Sequence, residues 1–124
     1  MTVPKYILLV DDSAIIRAAT RHFLDSQPGF VVCGEAIDGL DALEKARDLN
    51  PDPIILDLAM PRMNGLQAAR ELRALMNKVP IILFTWYADV IRPADVAAAG
   101  ISEVISKSNP GALQTRLNTM FAAA

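Results

Sequence analysis

Short runs of apolar residues alternate along the chain with longer stretches in which apolar residues recur at helical spacing. Two of the short runs, residues 7–10 (ILLV) and 81–84 (IILF), are continuously apolar, which is typical of parallel strands covered by helices on both faces. The alternation predicts five strand-helix units and a parallel sheet. The predicted strands are Tyr6–Val10, Val31–Ala36, Ile54–Leu56, Ile81–Thr85 and Glu103–Ser106.

Five helices are predicted between and after these strands. The first begins near Ser13 and ends before Pro28, and the others cover residues 39–50, 64–76, 93–100 and 110–122, with Asn64 as the N-cap of the third. The predicted core-facing residues are Ile15, Ala19 and Phe23 in the first helix, Leu40, Leu43 and Ala46 in the second, Leu66, Ala69 and Leu72 in the third, and Leu113, Leu117 and Phe121 in the fifth.

Right-handed helical crossovers between parallel strands place helices on both faces of the sheet. We therefore expect an α/β fold with a three-layer, doubly wound, five-stranded parallel sheet. Of the common strand orders of such sheets, the flavodoxin-like order 2-1-3-4-5 is the one expected here. The length of 124 residues is typical of one domain, so residues 1–124 are expected to form a single domain.

Composition and charge exclude several classes of protein. The formal net charge of -2 gives no overall positive field for a nucleic acid backbone, so this segment is not expected to bind DNA. Apolar runs reach only four to five residues, which predicts no membrane span, and the absence of a secretory pattern makes the cytoplasm the simplest location. The single cysteine, Cys33, is predicted to be a buried strand thiol.

Chemically active side chains follow the carboxyl ends of the predicted strands, where ligands bind in sheets of this kind. These residues are Asp11 and Asp12 after the first strand, Asp57 after the third, Thr85 at the end of the fourth and Lys107 after the fifth. Clustered carboxylates repel one another unless a divalent cation neutralises them, and oxygen ligands suit Mg²⁺. Such a site would let Asp57 attack phosphorus, while Lys107 and Thr85 hold the phosphoryl oxygens.

Each of these residues also has an ordinary structural explanation. Asp12 and Asp57 each precede a helix or loop that a carboxylate often caps, and an isolated lysine such as Lys107 is usually solvated. Chance would rarely place three acids, a hydroxyl and a cation at the ends of neighbouring strands. Their combination therefore favours a functional site.

Two motifs resemble those of bacterial response regulator receiver domains, and the resemblance covers nearly the whole chain. They are residues 8–12 (LLVDD) and residues 55–65 (ILDLAMPRMNG), accompanied by Thr85 and Lys107 at the matching positions. Residues 34–39 and 50–53 resemble more weakly the receivers that precede a helix-turn-helix output domain.

The resemblance implies a two-component signalling function in which a sensor histidine kinase, or acetyl phosphate, phosphorylates Asp57. It implies that Mg²⁺ is held by Asp11, Asp12, Asp57 and the carbonyl of Ala59. Phosphorylation would draw Thr85 inward and alter the face formed by the fourth helix, fifth strand and fifth helix. That face would contact an output domain or an effector protein, or support a phosphorylation-dependent homodimer.

Three residues depart from the family pattern. Val104 stands where an aromatic residue usually reports the position of the threonine, and Trp86 stands where the residue after the threonine is usually small. Both are candidate switch or gate residues, and Trp86 could also simply fold over its loop. Ser108 follows Lys107 where a cis proline is common, and a trans bond is expected because a cis non-proline bond costs about 3 kcal/mol or more.

Three alternative functions can be weighed from the residues at these positions. An aspartate-dependent phosphatase normally has a second acid two residues after its nucleophile, where this chain has Ala59. A nucleotide-binding module would have a glycine-rich turn after the first strand, where this chain has residues 11–13 (DDS). A receiver that signals through protein contacts without phosphorylation stays open, because Val104, Trp86 and Ser108 all depart from the usual switch, although the acid cluster argues against it.

Overall fold

The computed structural model describes residues 3–122, which form a parallel sheet with helices on both faces. The elements in chain order are β1 (Lys5–Val10), α1 (Ala14–Asp25), β2 (Phe30–Ala36), α2 (Gly39–Leu49), β3 (Ile54–Leu56), α3 (Gly65–Leu75), β4 (Ile81–Thr85), α4 (Pro93–Ala98), β5 (Glu103–Ser106) and α5 (Pro110–Met120).

The strand order is β2-β1-β3-β4-β5 and every pairing is parallel, which confirms the predicted doubly wound, flavodoxin-like topology. Val10 is in register with Leu56, and Leu56 with Leu83. The carboxyl ends of β1 and β3 are therefore level with each other. Asp11 and Asp57, which follow those ends directly, leave the sheet side by side.

Side chains of successive strand residues point to opposite faces of the sheet and form two separate cores. On one face Leu8, Val10 and Leu56 pack with buried residues of α2 and α3. On the other face Ile7 and Leu9 pack with buried residues of α1 and α5. The three-layer architecture predicted from the continuously apolar strands is confirmed.

The helix starts follow the expected chemistry. The Ser13 hydroxyl accepts a hydrogen bond from the Ile16 amide at 3.3 Å, so α1 begins directly after its cap. Asn64 and Gln67 form a reciprocal capping box at the start of α3, as predicted for the Asn64 cap. Pro93 and Pro110 occupy the first turns of α4 and α5, where a missing amide proton costs little.

The core face predicted for α1 is wrong. Ile15 is 83% exposed and Ala19 is also exposed, whereas Thr20 and Leu24 are buried against the sheet. Phe23 is partly buried at the edge of that core. The helix is rotated about its axis by about one residue position from the prediction. The reason is that Thr20 is buried although it is polar, and a prediction based on apolar residues does not mark it.

One predicted core residue of α2 is also wrong. Leu40 is 44% exposed, whereas Ala42 and Ala46 are fully buried and Leu43 is partly buried. The two alanines let the helix backbone approach the sheet closely and turn Leu40 outward. The core-facing residues predicted for α3 and α5 are confirmed as buried or partly buried.

Cys33 lies in the edge strand β2 and is only partly buried, which corrects the prediction of a buried thiol. The pairing register of β1 and β2 shifts between Ile7 and Leu8, so that Cys33 falls in the irregularity and is skipped. Within residues 3–122, no helix has the length and apolar character needed to cross a membrane.

Candidate metal centre

Three carboxylates meet at the carboxyl edge of the sheet. Asp11, Asp12 and Asp57 each offer one oxygen, and these oxygens lie within 4.8 Å of one another. Asp11 and Asp57 are buried, and Asp12 is exposed at the mouth of the cluster. The register of β1 and β3 produces this arrangement, and the three acids lie close together as predicted.

Lys107 joins two of these acids from the end of β5. Its Nζ atom donates to Asp11 Oδ2 at 2.6 Å and lies 3.3 Å from Asp57 Oδ1, and its side chain is only 5% exposed. Its amide donates to the Thr85 carbonyl at 3.0 Å, which fixes the start of the β5-α5 loop. A buried ammonium group is costly without partners, and the two carboxylates supply them.

The cluster has more carboxylate groups than ammonium groups and can therefore accept further positive charge. Burial raises the pKa of Asp57, Lys107 acts in the opposite direction, and the nearby Asp11 carboxylate raises it further. The ionised form of Asp57 is therefore less favourable in the folded protein than in a solvated carboxyl group. An all-oxygen donor set with one ammonium group against three carboxylates fits a small divalent cation such as Mg²⁺.

Thr85 and Ala59 lie near the same edge of the sheet. Thr85 ends β4 and is fully buried, and its Oγ1 accepts a hydrogen bond from the Tyr87 amide at 3.1 Å. Ala59 is exposed in the β3-α3 loop, two residues after Asp57. Neither residue is among the carboxylate contacts described above, and their predicted roles remain predictions.

The loop after Asp57 is held tightly against the start of α3. Leu58 donates its amide to Asp57 Oδ1 at 2.9 Å, and Gly65 donates its amide to the Leu58 carbonyl at 2.8 Å. A Cβ atom at Gly65 would overlap the Asp57 carbonyl oxygen and lie 2.8 Å from the Leu58 Cα. Glycine at this position therefore lets the helix approach the strand end that carries Asp57.

The two candidate switch residues occupy different surroundings. Trp86 is 58% exposed and lines an apolar cavity of about 230 Å³ together with Lys107, Phe84 and Pro110. Val104 is partly buried and packs against the core on the α2-α3 face of the sheet. Trp86 therefore lies at the surface beside Lys107, whereas Val104 lies against the core.

Two ion-pair networks near the site were missed by sequence reasoning. Glu35 at the end of β2 pairs with Arg17 at 2.8 Å and with Arg21, and Asp38 pairs with Arg62 from the loop after Asp57. Arg62 also has a positive φ of 65°, a conformation that non-glycine residues seldom adopt. A search for charged side chains near the end of β2, the neighbour of β1, would have indicated Glu35 and Asp38 but not their arginine partners.

Comparison with known proteins identifies the family. The family described as the response regulator receiver domain matches residues 7–118, nearly the whole chain. The chain belongs to this family. The predicted receiver is thereby confirmed as a domain of two-component signal transduction, and the phosphoryl-accepting role is supported by the acid cluster.

Relatives of the receiver include both longer enzymes and regulators. The chain is 38% identical over 103 residues to a protein-glutamate methylesterase/protein-glutamine glutaminase of Nocardioides sp., a match that covers 82% of the chain and 28% of that protein. The chain thus spans less than a third of this relative, and the enzyme name belongs to the longer protein.

Two solved structures resemble the receiver closely. A LuxR-family response regulator from Aurantimonas sp. is 30% identical with a TM-score of 0.88, covering 96% of this chain and 86% of that one. The response regulator TrrA of Thermotoga maritima is 32% identical with a TM-score of 0.84, covering 94% and 99%, and was crystallised in complex with Mg²⁺ and BeF.

Proposed function

We propose that Asp57 is the residue that accepts the phosphoryl group, supplied by a phosphohistidine of a sensor histidine kinase or by a small acyl phosphate. The observation that carries this proposal is the position of Lys107, whose Nζ atom contacts both Asp11 and Asp57 within the three-carboxylate cluster. A buried ammonium group beside this carboxylate offsets part of the charge repulsion that an anionic phosphoryl group would meet.

Mg²⁺ is the cofactor that suits this donor set, and TrrA was crystallised with that ion. The side chains of Asp11, Asp12 and Asp57 and the carbonyl of Ala59 would hold it. When bound, it neutralises carboxylate charge and the negative charge of the transferring phosphoryl oxygens.

The chain's own residues would carry the transfer as follows. One carboxylate oxygen of Asp57 attacks phosphorus in line, so that an O–P bond forms while the N–P bond to the donor histidine breaks. The donor imidazole leaves with the bonding electron pair. Lys107 donates to a phosphoryl oxygen, and Thr85 donates its hydroxyl to another after its Oγ1 gives up the Tyr87 amide.

The signal would leave the domain through α4, β5 and α5. Thr85 ends β4 and precedes Trp86 directly, and it pairs with Ser106 at the end of β5. A movement of Thr85 toward the phosphoryl group would therefore pull on Trp86 and on the strand that carries Val104. Moving such a switch from mostly off to mostly on requires about 5 kcal/mol of differential stabilisation.

The partners of this receiver would be a sensor histidine kinase and an output domain or effector that contacts the α4-β5-α5 face, with a phosphorylation-dependent homodimer as one form of that contact. A cytoplasmic location fits such partners.

The acceptor is tested by incubating the protein with acetyl phosphate and MgCl₂ and measuring its intact mass. The wild type should gain one phosphoryl group, and the Asp57→Asn variant should gain none. Asp48→Asn, which makes the same change at an exposed residue of α2, is the matched control and should be modified like the wild type. A phosphoryl mass that persists in Asp57→Asn would place the acceptor elsewhere.

A further inference from the structure

The loop that carries Asp11 and Asp12 is held from outside by Arg17. The Arg17 side chain lies in the first turns of α1 and is 16% exposed. Its Nη1 atom donates to the backbone carbonyl of Asp11 at 2.8 Å, and its Nε atom donates to Glu35 Oε1 at 2.8 Å. One guanidinium group therefore connects the metal-ligand loop to the end of β2.

Glu35, which anchors Arg17, is itself held by other residues. Arg21, one turn further along α1, donates to the other carboxylate oxygen of Glu35, so that two arginines share one acid. Lys45 of α2 donates to the Glu35 carbonyl at 2.5 Å. Favourable charge interactions with both arginines offset the burial of Glu35 and lower its pKa. Glu35 is therefore a charged and firmly placed support for Arg17.

The Asp11 backbone is held on both sides. Its amide donates to the Ala36 carbonyl of β2 at 3.0 Å, and its carbonyl accepts from Arg17. That carbonyl belongs to the peptide group joining Asp11 to Asp12. A rotation of this one peptide unit would move both carboxylates relative to Asp57, and the Arg17 hydrogen bond opposes that rotation.

We propose that Arg17, braced by Glu35, is a positioning residue that sets the orientation of Asp11 and Asp12 for Mg²⁺ binding. This inference rests on the proposed function, since it assumes that these carboxylates hold the ion. Arg17 touches neither the ion nor the phosphoryl group and acts through the Asp11 peptide group alone.

Positioning and simple electrostatics predict opposite results for the removal of Arg17. Removing a positive charge near three carboxylates would by itself strengthen the binding of a cation. Loss of an orienting partner behind metal ligands typically weakens metal binding by about 10- to 100-fold. The direction of the change in Mg²⁺ affinity therefore separates the two explanations.

The experiment measures the Mg²⁺ dissociation constant of the wild type and of Arg17→Gln, from amide NMR shifts during titration with MgCl₂. We expect Arg17→Gln to bind Mg²⁺ about 10-fold more weakly. Arg21→Gln removes the other arginine from Glu35 but does not touch Asp11, and it should keep nearly the wild-type affinity. Unchanged or tighter binding in Arg17→Gln would overturn the proposal.

A second variant and a kinetic measurement keep the test decisive if Arg17→Gln does not fold. Arg17→Lys keeps the positive charge but loses the planar fork that joins the Asp11 carbonyl to Glu35, and it should also weaken Mg²⁺ binding; wild-type affinity there contradicts the inference. In the variants, acetyl phosphate labelling should be slow at low MgCl₂ and approach the wild-type rate at saturation. If the wild type itself binds no Mg²⁺, the proposed function fails, whereas equal binding by wild type and variants defeats the positioning role alone.

Discussion

At the scale of single residues, the state of Asp57 is set by competing charges. The residue is buried, lies next to Asp11 and is contacted by one ammonium group. Burial and Asp11 raise the pKa of Asp57, and Lys107 offsets part of that increase. In the absence of a divalent cation, the ionised Asp57 therefore reduces the stability of the folded protein.

The Asp57→Asn variant should consequently be more stable than the wild type at neutral pH without Mg²⁺. A folded-state pKa above the unfolded value of about 3.9 means that the folded protein holds the proton more tightly. This contribution to stability is complete below about pH 3.9 and is lost as the pH rises through the raised pKa. Thermal or urea unfolding in EDTA from acid to neutral pH should show the advantage of Asp57→Asn growing over that window.

Magnesium supplies the control for this prediction. MgCl₂ should raise the melting temperature of the wild type by binding the native state, and it should raise that of Asp57→Asn much less. A wild type that is more stable than Asp57→Asn in EDTA at pH 7 would contradict the described electrostatics.

The residues of the acid cluster could be predicted from sequence, and the residues that support it could not. Asp11, Asp57 and Lys107 follow strands directly, so strand order alone brings them together. The pairing of Arg17 with Glu35 depends on the exact rotation of α1 about its axis. The prediction that Ile15 faces the core is wrong for the same reason. The rotation of α1 buries Thr20, which is not apolar and so gives no hydrophobic signal.

At the scale of elements, the start of α3 lies directly against the end of β3. Gly65 is buried there, and its amide donates to the Leu58 carbonyl at 2.8 Å. The helix thus restrains the peptide units of Asp57, the proposed phosphoryl acceptor. This contact explains in physical terms why the motif after Asp57 ends in glycine.

The Gly65→Ala variant should lose stability by about 1–3 kcal/mol, since the added methyl group overlaps the Asp57 carbonyl oxygen. Gly111→Ala is the matched control in the first turn of α5, where the nearest atom to the new Cβ would be 3.6 Å away. That change should be neutral or should stabilise the protein by about 0.4–1 kcal/mol. Urea unfolding of both variants is the measurement, and equal stability of the two would refute the close contact.

The element boundaries show why some features are visible in sequence. The five predicted strands agree with the structure to within one residue at each end. Three of them, β1, β3 and β4, are recognisable because each contains a short apolar run that ends at a polar residue. The starts of four helices could be predicted from Ser13, Asn64, Pro93 and Pro110. The partial exposure of Cys33 was not visible, because a register shift between β1 and β2 leaves no signature in the residues themselves.

At the scale of the whole molecule, the elements are not equally well anchored. The helices α2 and α3 each bury several residues in the core, whereas α4 has six residues and none of them is buried. The fold therefore combines a rigid half around the acid cluster with a loosely held helix near β5. Segments with few buried contacts open most easily and are the ones that switching mechanisms use.

Amide hydrogen exchange should reveal this asymmetry. We expect the amides of α4 to exchange faster than those of α3 in the unmodified receiver, because little apolar surface opposes the opening of α4. Treatment with acetyl phosphate and MgCl₂ should change exchange in α4 and β5 more than in α2. Mass spectrometry of peptides from the wild type, with Asp57→Asn as the unmodified control, is the measurement, and a response confined to α2 would contradict the proposed output face.

The placement of Trp86 has a practical consequence. It is the only tryptophan in the sequence, and its half-exposed indole ring lines the same cavity as Lys107. Indole emission depends on the polarity around the ring, so the protein contains an optical reporter beside the proposed phosphorylation site. If the proposed function holds, arrival of the metal ion and of the phosphoryl group should change this emission and be measurable in real time on the unlabelled protein.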